Sequence, residues 1–188
     1  QWPPVTCRFS RKPCYKHQPL QIFTIHGLWP SNYSNPTTPS NCVGPRFNES
    51  KLPPQLRSKL KMSWPDVESG NNTNFWEGEW RKHGTCSKQT LNQIQYFERS
   101  YEMWHSHNIT KILKNASIVP HPTQTWKYSD IVSAIKTATQ TTPLLRCKWD
   151  KNTQWLHEVV LCYEYNALKQ IDCNRTAGCR NQQAISFQ

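Results

Sequence analysis

Two short stretches of the chain carry residue types that could perform acid–base chemistry. The first is FTIHGLWP (23–30), in which a β-type run ends at His26 and Trp29 follows three residues later. An imidazole titrates near neutral pH, with a reference pKa of about 6.5, and an indole offers a flat apolar face. A single histidine is more often structural or simply exposed, so this stretch indicates a reaction only together with a second one.

The second stretch is FWEGEWRKHGTC (75–86), which contains Glu79, Lys82 and His83. If this stretch is helical, Glu79 and His83 share one face and Lys82 lies beside them. A carboxylate, an ammonium group and an imidazole would then project into one volume. The simplest alternative is an ordinary ion pair on a solvated helix. The order Glu-x-x-Lys-His lacks the His-x-x-x-His pair of a zinc protease, so we expect no bound metal.

Together, the two stretches supply the groups that cleave RNA without a metal. One imidazole would take the proton of the ribose 2′-OH, and the other would protonate the leaving 5′-oxygen. Lys82 would stabilise the extra negative charge of the five-coordinate phosphorane. Trp29 could stack on a base, as aromatic residues do in proteins that read single-stranded RNA. The residues alone do not say which of His26 and His83 is the base.

Composition favours a single basic, folded domain over residues 1–188. Hydrophobic residues make up 36% of the 188 and aromatic residues 12%, which suits one compact core. Lys and Arg number 23 against 12 Asp and Glu, and the resulting formal charge of +11 suits a polyanion such as RNA. Simple solubility would explain the charge equally well. No apolar run approaches the roughly 18 residues of a membrane span, so we expect no membrane association.

Cysteines and glycosylation sequons indicate the secretory pathway. The eight cysteines include no CxxC pair, so we expect four disulfides rather than a zinc site. Chance produces some sequons in a chain rich in Asn, Ser and Thr, so their occupancy is open. The Asn-x-Ser/Thr sequons begin at Asn32, Asn48, Asn71, Asn108, Asn115 and Asn174.

The elements that must position these residues are mixed without a regular alternation, which indicates the α+β class. In the helix over residues 91–105 we expect Ile94, Phe97, Tyr101 and Trp104 to form the buried face. Residues 144–150 and 154–165 are predicted to be strands joined by a turn at residues 150–152. Hydrophobic spacing and capping signals predict four helices: from Pro54 to Trp64, from the cap Asn74 through residues 75–84, over residues 91–105, and after Ser129.

The two stretches resemble the active-site segments of the ribonuclease T2 family of secreted endoribonucleases. The match consists of HGLWP (26–30) and FWEGEWRKHGTC (75–86), in the family's order. Trp-Pro-Pro near the start, the eight cysteines and the closing hairpin extend the resemblance over most of the chain. It implies a central antiparallel sheet packed with several helices and stapled by disulfides. It also implies a metal-independent, cofactor-free enzyme that cuts single-stranded RNA through a 2′,3′-cyclic phosphate; we expect a monomer.

The resemblance also implies a role for each matching residue. His26 and His83 match the acid–base pair, and we favour His83 as the base and His26 as the acid. Glu79 and Lys82 match the residues that hold and stabilise the phosphate, and Trp76 supports the phosphate site. The positions that match base-binding residues of the family are Trp29, Phe75, Gln1, Asp66, Val67 and Glu68.

The chain departs from the family pattern at Gly78, where many members carry a third histidine. We expect this change to remove one phosphate contact without abolishing activity.

The eight cysteines follow the pattern of the family. The pairs that the resemblance implies are Cys7–Cys14, Cys42–Cys86, Cys147–Cys179 and Cys162–Cys173.

The loop over residues 31–45, the basic charge and the sequons most resemble the S-ribonucleases of flowering plants, of the rose-family type. Those style proteins govern self-incompatibility, so a pollen-side recognition protein is an expected partner. Residues 35–48 are the segment that we expect to distinguish alleles. Two alternatives are open: a general secreted ribonuclease for defence or nutrition, and an inactive RNA-binding recognition protein on the same scaffold. Retention of both histidines, the glutamate and the lysine counts against the second.

Overall fold

The computed structural model describes residues 1–31, 38–174 and 178–188, so the sequon asparagine Asn32 lies outside the described residues. They form two compact units, one of residues 1–23 with 107–188 and one of residues 24–106. A single domain over the whole chain stays a prediction. Within the described ranges, no helix combines the length and apolar character of a membrane span.

Six α-helices and six strands form in the described residues. The helices are α1 (Pro3–Arg8), α2 (Pro54–Ser63), α3 (Asn72–Lys82), α4 (Gln93–Ser106), α5 (Ile109–Asn115) and α6 (Tyr128–Thr139). The strands are β1 (Thr125–Trp126), β2 (Leu144–Asp150), β3 (Thr153–Val160), β4 (Cys162–Tyr163), β5 (Gln170–Ile171) and β6 (Ile185–Ser186). The predicted α+β class is confirmed.

The larger sheet, in the unit of residues 1–23 and 107–188, has the strand order β1-β6-β3-β2. Strand β2 pairs antiparallel with β3, as the predicted hairpin requires, and Lys151 takes a positive φ of 53° in the turn between them. Strand β6 pairs parallel with β3 and antiparallel with β1. The sheet is therefore mixed. Two of its three strand pairs are antiparallel, as expected, and the third is parallel because the long connection from Val160 to Ile185 lets the chain return in the same direction.

The core of this unit is built from aromatic and aliphatic side chains of α1, α5, α6 and the sheet. Ile131 and Ile135 of α6 are fully buried, as the predicted helix requires. The indole of Trp2 lies 5.1 Å from the ring of Phe23 and 4.8 Å from that of Phe187, measured between centroids. Removal of this aromatic area from water stabilises the unit.

The core of the unit of residues 24–106 is formed by α2, α3 and α4. Leu56 and Leu60 of α2 are buried, which confirms the predicted helix and its face. The buried face of α4 is centred on Tyr96, Phe97 and Ser100. The predicted stripe of Ile94, Phe97, Tyr101 and Trp104 is thus displaced around the helix axis, and only Phe97 of the four is buried. Packing of Tyr96 and Phe97 against the ring of Trp64, at the end of α2, accounts for this rotation.

Helix α3 carries most of the second sequence stretch, but both of its ends differ from the prediction. Its N-cap is Asn71, whose side chain accepts a hydrogen bond from the backbone N–H of Asn74 at 3.1 Å. The helix ends at Lys82, so His83 lies at the C-cap and not within the helix. The expected cap at Asn74 is wrong because Asn71 reaches an unsatisfied N–H of the first turn.

The four disulfides join the cysteines in the pairs that the family resemblance implies. The disulfides are Cys7–Cys14, Cys42–Cys86, Cys147–Cys179 and Cys162–Cys173.

The sequon asparagines within the described residues are all exposed: Asn48, Asn71, Asn108, Asn115 and Asn174. Whether they carry glycans stays a prediction.

Candidate active site

The segment that carries His26 is extended, but it is not a β-strand. Residues 23–25, all of them described, belong to neither sheet, contrary to the prediction of a β-type run. Side chains from the helical core hold the segment instead. The indole N–H of Trp64 donates to the carbonyl of His26 at 2.9 Å, and the hydroxyl of Tyr96 donates to the carbonyl of Leu28 at 2.8 Å. The buried aromatic cluster therefore fixes the backbone on both sides of the first site.

The second segment places its polar residues around the last turn of α3. Glu79 lies on the buried face and is 8% exposed, while Lys82 is exposed at the helix end. The backbone N–H of His83 still donates to the carbonyl of Glu79 at 2.8 Å, although His83 has left helical geometry. The imidazole of His83 is buried, with 7% of the residue exposed. Glu79 thus lies in the last turn of α3, and His83 lies at the helix terminus, outside helical geometry.

Trp29 brings the two segments together. Its indole N–H donates to Oε2 of Glu79 at 3.1 Å. Its ring lies 5.1 Å from the imidazole of His26 and 5.8 Å from that of His83, measured between centroids. The ring of Phe75 lies 6.1 Å from that of His26, also measured between centroids. Both histidines and the glutamate predicted from sequence therefore meet around one indole.

The surroundings of His83 lower its pKa from 6.5 to about 4. Burial is the largest cause, because a charged imidazolium loses hydration there. The positive charges of Lys82 and His26 act in the same direction, and the nearby carbonyl of Pro39 opposes them. His83 is consequently a neutral imidazole at neutral and mildly acidic pH, which is the form that can accept a proton.

A disulfide and a backbone hydrogen bond attach the end of α3 to residues 41 and 42, which precede α2. Cys42 is bonded to Cys86, which lies in the 3₁₀ turn Gly84–Ser87. The backbone N–H of Asn41 donates to the carbonyl of Lys82 at 2.8 Å. This double attachment restricts the segment that carries His83.

Trp76, predicted to support the phosphate site, is fully buried. Its indole N–H donates to the carbonyl of Trp64 at 2.8 Å. Its position gives it a structural role beneath the site rather than a surface for a ligand. Trp76 and Trp64 together connect α3 to the end of α2, and Trp64 in turn holds the His26 carbonyl.

The remaining predicted base-binding residues divide between the two units. Asp66, Val67 and Glu68 form a partly exposed turn after α2. The carboxylate of Asp66 accepts from the backbone N–H groups of Glu68 at 3.0 Å and Ser69 at 2.9 Å, so it stabilises this turn. Gln1 belongs to the other unit, where it is buried and its side-chain oxygen accepts from the hydroxyl of Thr6 at 3.3 Å.

Sequence reasoning missed two residues that shape the site, Gly27 and Tyr96. A Cβ atom at Gly27 would lie 2.1 Å from Oε2 of Glu79 and 2.3 Å from Nε1 of Trp29, so only glycine leaves room for their hydrogen bond. Burial, and then the charge of Glu79, raise the pKa of Tyr96 well above its usual value. The only signal in the sequence for either residue was the glycine directly after His26.

Among the described residues, no three His, Cys, Asp or Glu side chains are grouped to hold a metal ion.

Known proteins are similar to this chain over most of its length. The Ribonuclease T2 family model matches residues 1–173. Ribonuclease S-5 of Pyrus pyrifolia is 38% identical over 178 residues, which cover 92% of this chain and 76% of that protein. The structure of Japanese pear S3-RNase is 33% identical and superposes with a TM-score of 0.85, covering 100% of this chain and 96% of that one.

A mutant of RNase MC1, the ribonuclease of bitter gourd seeds, is similar as well. Its complex with 5′-GMP is 36% identical and has a TM-score of 0.90, with 100% of this chain and 95% of that chain covered. The similarity spans the whole described chain and includes both segments of the site. This chain therefore belongs to the ribonuclease T2 family.

Proposed function

We propose that this endoribonuclease cleaves single-stranded RNA by transphosphorylation, with His83 as the general base and His26 as the general acid. The observation that carries the assignment is the pair of imidazoles around Trp29, of which His83 has its pKa lowered to about 4. A base must be unprotonated before the reaction, and the buried His83 meets that condition over a wide pH range.

The proposed reaction needs only side chains. His83 accepts the proton of the ribose 2′-OH, and the 2′-oxygen attacks the adjacent phosphorus. The bond to the 5′-oxygen breaks as His26 gives that oxygen a proton, which leaves a 2′,3′-cyclic phosphate and a free 5′-OH. Lys82 neutralises the extra negative charge on the phosphorane, and Glu79 helps to hold the phosphate. DNA lacks the 2′-OH and should not react.

Variants of the two histidines test the assignment. His26→Asn and His83→Asn should each lower turnover of a single-stranded RNA by roughly a hundredfold or more, the usual scale for one general acid or base. A parallel His121→Asn variant is a matched control, because His121 is described in the other unit, where its Nδ1 accepts from the backbone N–H of Gln124. Near wild-type turnover in either site variant would refute the assignment. Absence of cleavage by the wild-type protein would favour an inactive RNA-binding role.

We further propose that the protein is secreted and acts as the pistil determinant of self-incompatibility, of the rose-family type, with a pollen-side protein as its partner. The similarity to two pear S-ribonucleases supports this role, as does the formal charge of +11. The cysteines and sequons support secretion. The similarity to RNase MC1 of seeds favours the second candidate, a general secreted ribonuclease. Transcript confined to the style, and loss of pollen rejection when it is silenced, would distinguish the first from the second.

A further inference from the structure

We infer that Trp29 is a positioning residue that acts through Glu79, which deepens the function proposed above and rests on it. Trp29 stands at a position that the family resemblance assigns to base binding. Its indole N–H instead donates to Oε2 of Glu79 at 3.1 Å. Glu79 is only 8% exposed, and a carboxylate so far removed from water needs donors that hold it in one orientation.

Gly27 leaves the space that the hydrogen bond between Trp29 and Glu79 needs. This hydrogen bond occupies the space that a Cβ at residue 27 would take. That Cβ would lie 2.3 Å from the donor atom and 2.1 Å from the acceptor atom. Both distances are shorter than any real Cβ contact, so a side chain there would push the two partners apart. The φ of Gly27 is not positive, so space and not backbone freedom explains the glycine.

The orientation of the Trp29 ring couples Glu79 to the two histidines. The ring meets His26 edge-on, at an interplanar angle of 82°, and His83 at 52°. Fixing the N–H on Glu79 fixes the plane of the indole against both imidazoles. An error of about 1 Å in the placement of reacting groups can cost a hundredfold in rate. The hydrogen bond is therefore expected to act on turnover more than on substrate affinity.

A double-mutant cycle with a dinucleotide substrate tests this coupling. Trp29→Phe keeps an aromatic ring but removes the N–H donor, and it should lower kcat about 10- to 100-fold with little change in KM. In a Glu79→Ala background, measured with excess enzyme in single turnover, the same change should cost less than about threefold. Equal losses in both backgrounds, or a loss confined to KM that depends on the base, would overturn the inference and favour base stacking.

A pair of glycine variants supplies an independent arm. Gly27→Ala should reproduce the kcat loss of Trp29→Phe. Gly78→Ala is the matched control, because a Cβ there meets nothing within 4 Å, and it should keep wild-type kcat. The amide spectrum gives a readout without activity: the Trp29 indole N–H resonance should move in Glu79→Gln. An unmoved resonance, or a fully active Gly27→Ala, would contradict the inference, whereas an inactive wild-type protein would contradict the proposed function itself.

Discussion

At the scale of single residues, the site depends on a difference between two histidines. His83 is buried beside a lysine and its pKa is lowered to about 4, while His26 lies in a half-buried segment held by its backbone. Because the folded pKa of His83 is below its unfolded value of 6.5, the neutral form is favoured by folding. The associated stability is present above pH 6.5 and is lost as the pH falls toward 4.

The charge of Lys82 is predicted to shift the acidic limb of the pH–rate profile. Lys82 lowers the pKa of His83, so Lys82→Ala should raise that pKa and move the acidic limb of kcat/KM to higher pH. Lys88→Ala is the control, since Lys88 is exposed and its ammonium group donates to the carbonyl of Val43. The profile of this control should stay in place. An acidic limb that does not move in Lys82→Ala would show that another group titrates there.

The residues of the site were predictable from type and spacing, whereas their contacts were not. His26, Glu79 and His83 stand out because they are reactive types in two specific motifs. The hydrogen bond from Trp29 to Glu79 joins positions 50 apart in the chain, and it depends on how the helical core folds the first segment onto α3. Local sequence carries no information on that packing, so Gly27 and the orientation of the indole were missed.

At the scale of elements, α3 shows how far periodicity reaches. Its existence was predicted from a capping-box pattern at Asn74 and Glu77, but the residue that caps it is Asn71. Asn71, Asn72 and Asn74 are all good capping residues, and only the structure shows which side chain reaches an unpaired N–H. The displaced face of α4 has a similar origin, since aromatic residues lie on several sides of that helix and tertiary packing selects among them.

The cap of α3 yields a test that separates capping from glycosylation. In protein made without glycans, Asn71→Ala should lower the free energy of unfolding by about 1 kcal/mol, whereas Asn71→Asp keeps the accepting oxygen and should change it little. Asn115→Ala is the control, because Asn115 also opens a sequon but ends α5 rather than capping its start. Chemical denaturation measures all three. Equal stability of the Ala and Asp variants would argue against the cap.

At the scale of the whole molecule, the α+β class was predictable because helical and strand periods alternate irregularly. The parallel pair β3–β6 was not, since it joins segments far apart in the chain and neither has a signal for direction. The four disulfides came from family resemblance, because eight cysteines alone allow 105 pairings. We also expect the segment of residues 35–48 to distinguish alleles. Residues 35–37 of this segment lie outside the described ranges.

Exchange of residues 35–48 between alleles, with Cys42 kept, should leave RNA cleavage intact and shift which pollen is rejected. In the described part of this segment, Val43 is 89% exposed and Cys42 is tied to Cys86, so exposed positions such as Val43 can vary around a fixed anchor. Prolines also reduce the ordering cost of binding a partner. Pollination assays and partner binding measure the effect. A folded, active exchange with unchanged specificity would transfer the recognition role to the rest of the surface.

We propose that two imidazoles cleave RNA through the ribose 2′-OH without a metal. The ³¹P NMR spectrum of a dinucleoside monophosphate turned over by the protein in excess EDTA tests this proposal. We expect an undiminished rate and a 2′,3′-cyclic phosphate as the first product, absent for His26→Asn and His83→Asn over the same time. A linear 5′-phosphate as first product, or activity lost to EDTA and restored by a divalent metal, would contradict it.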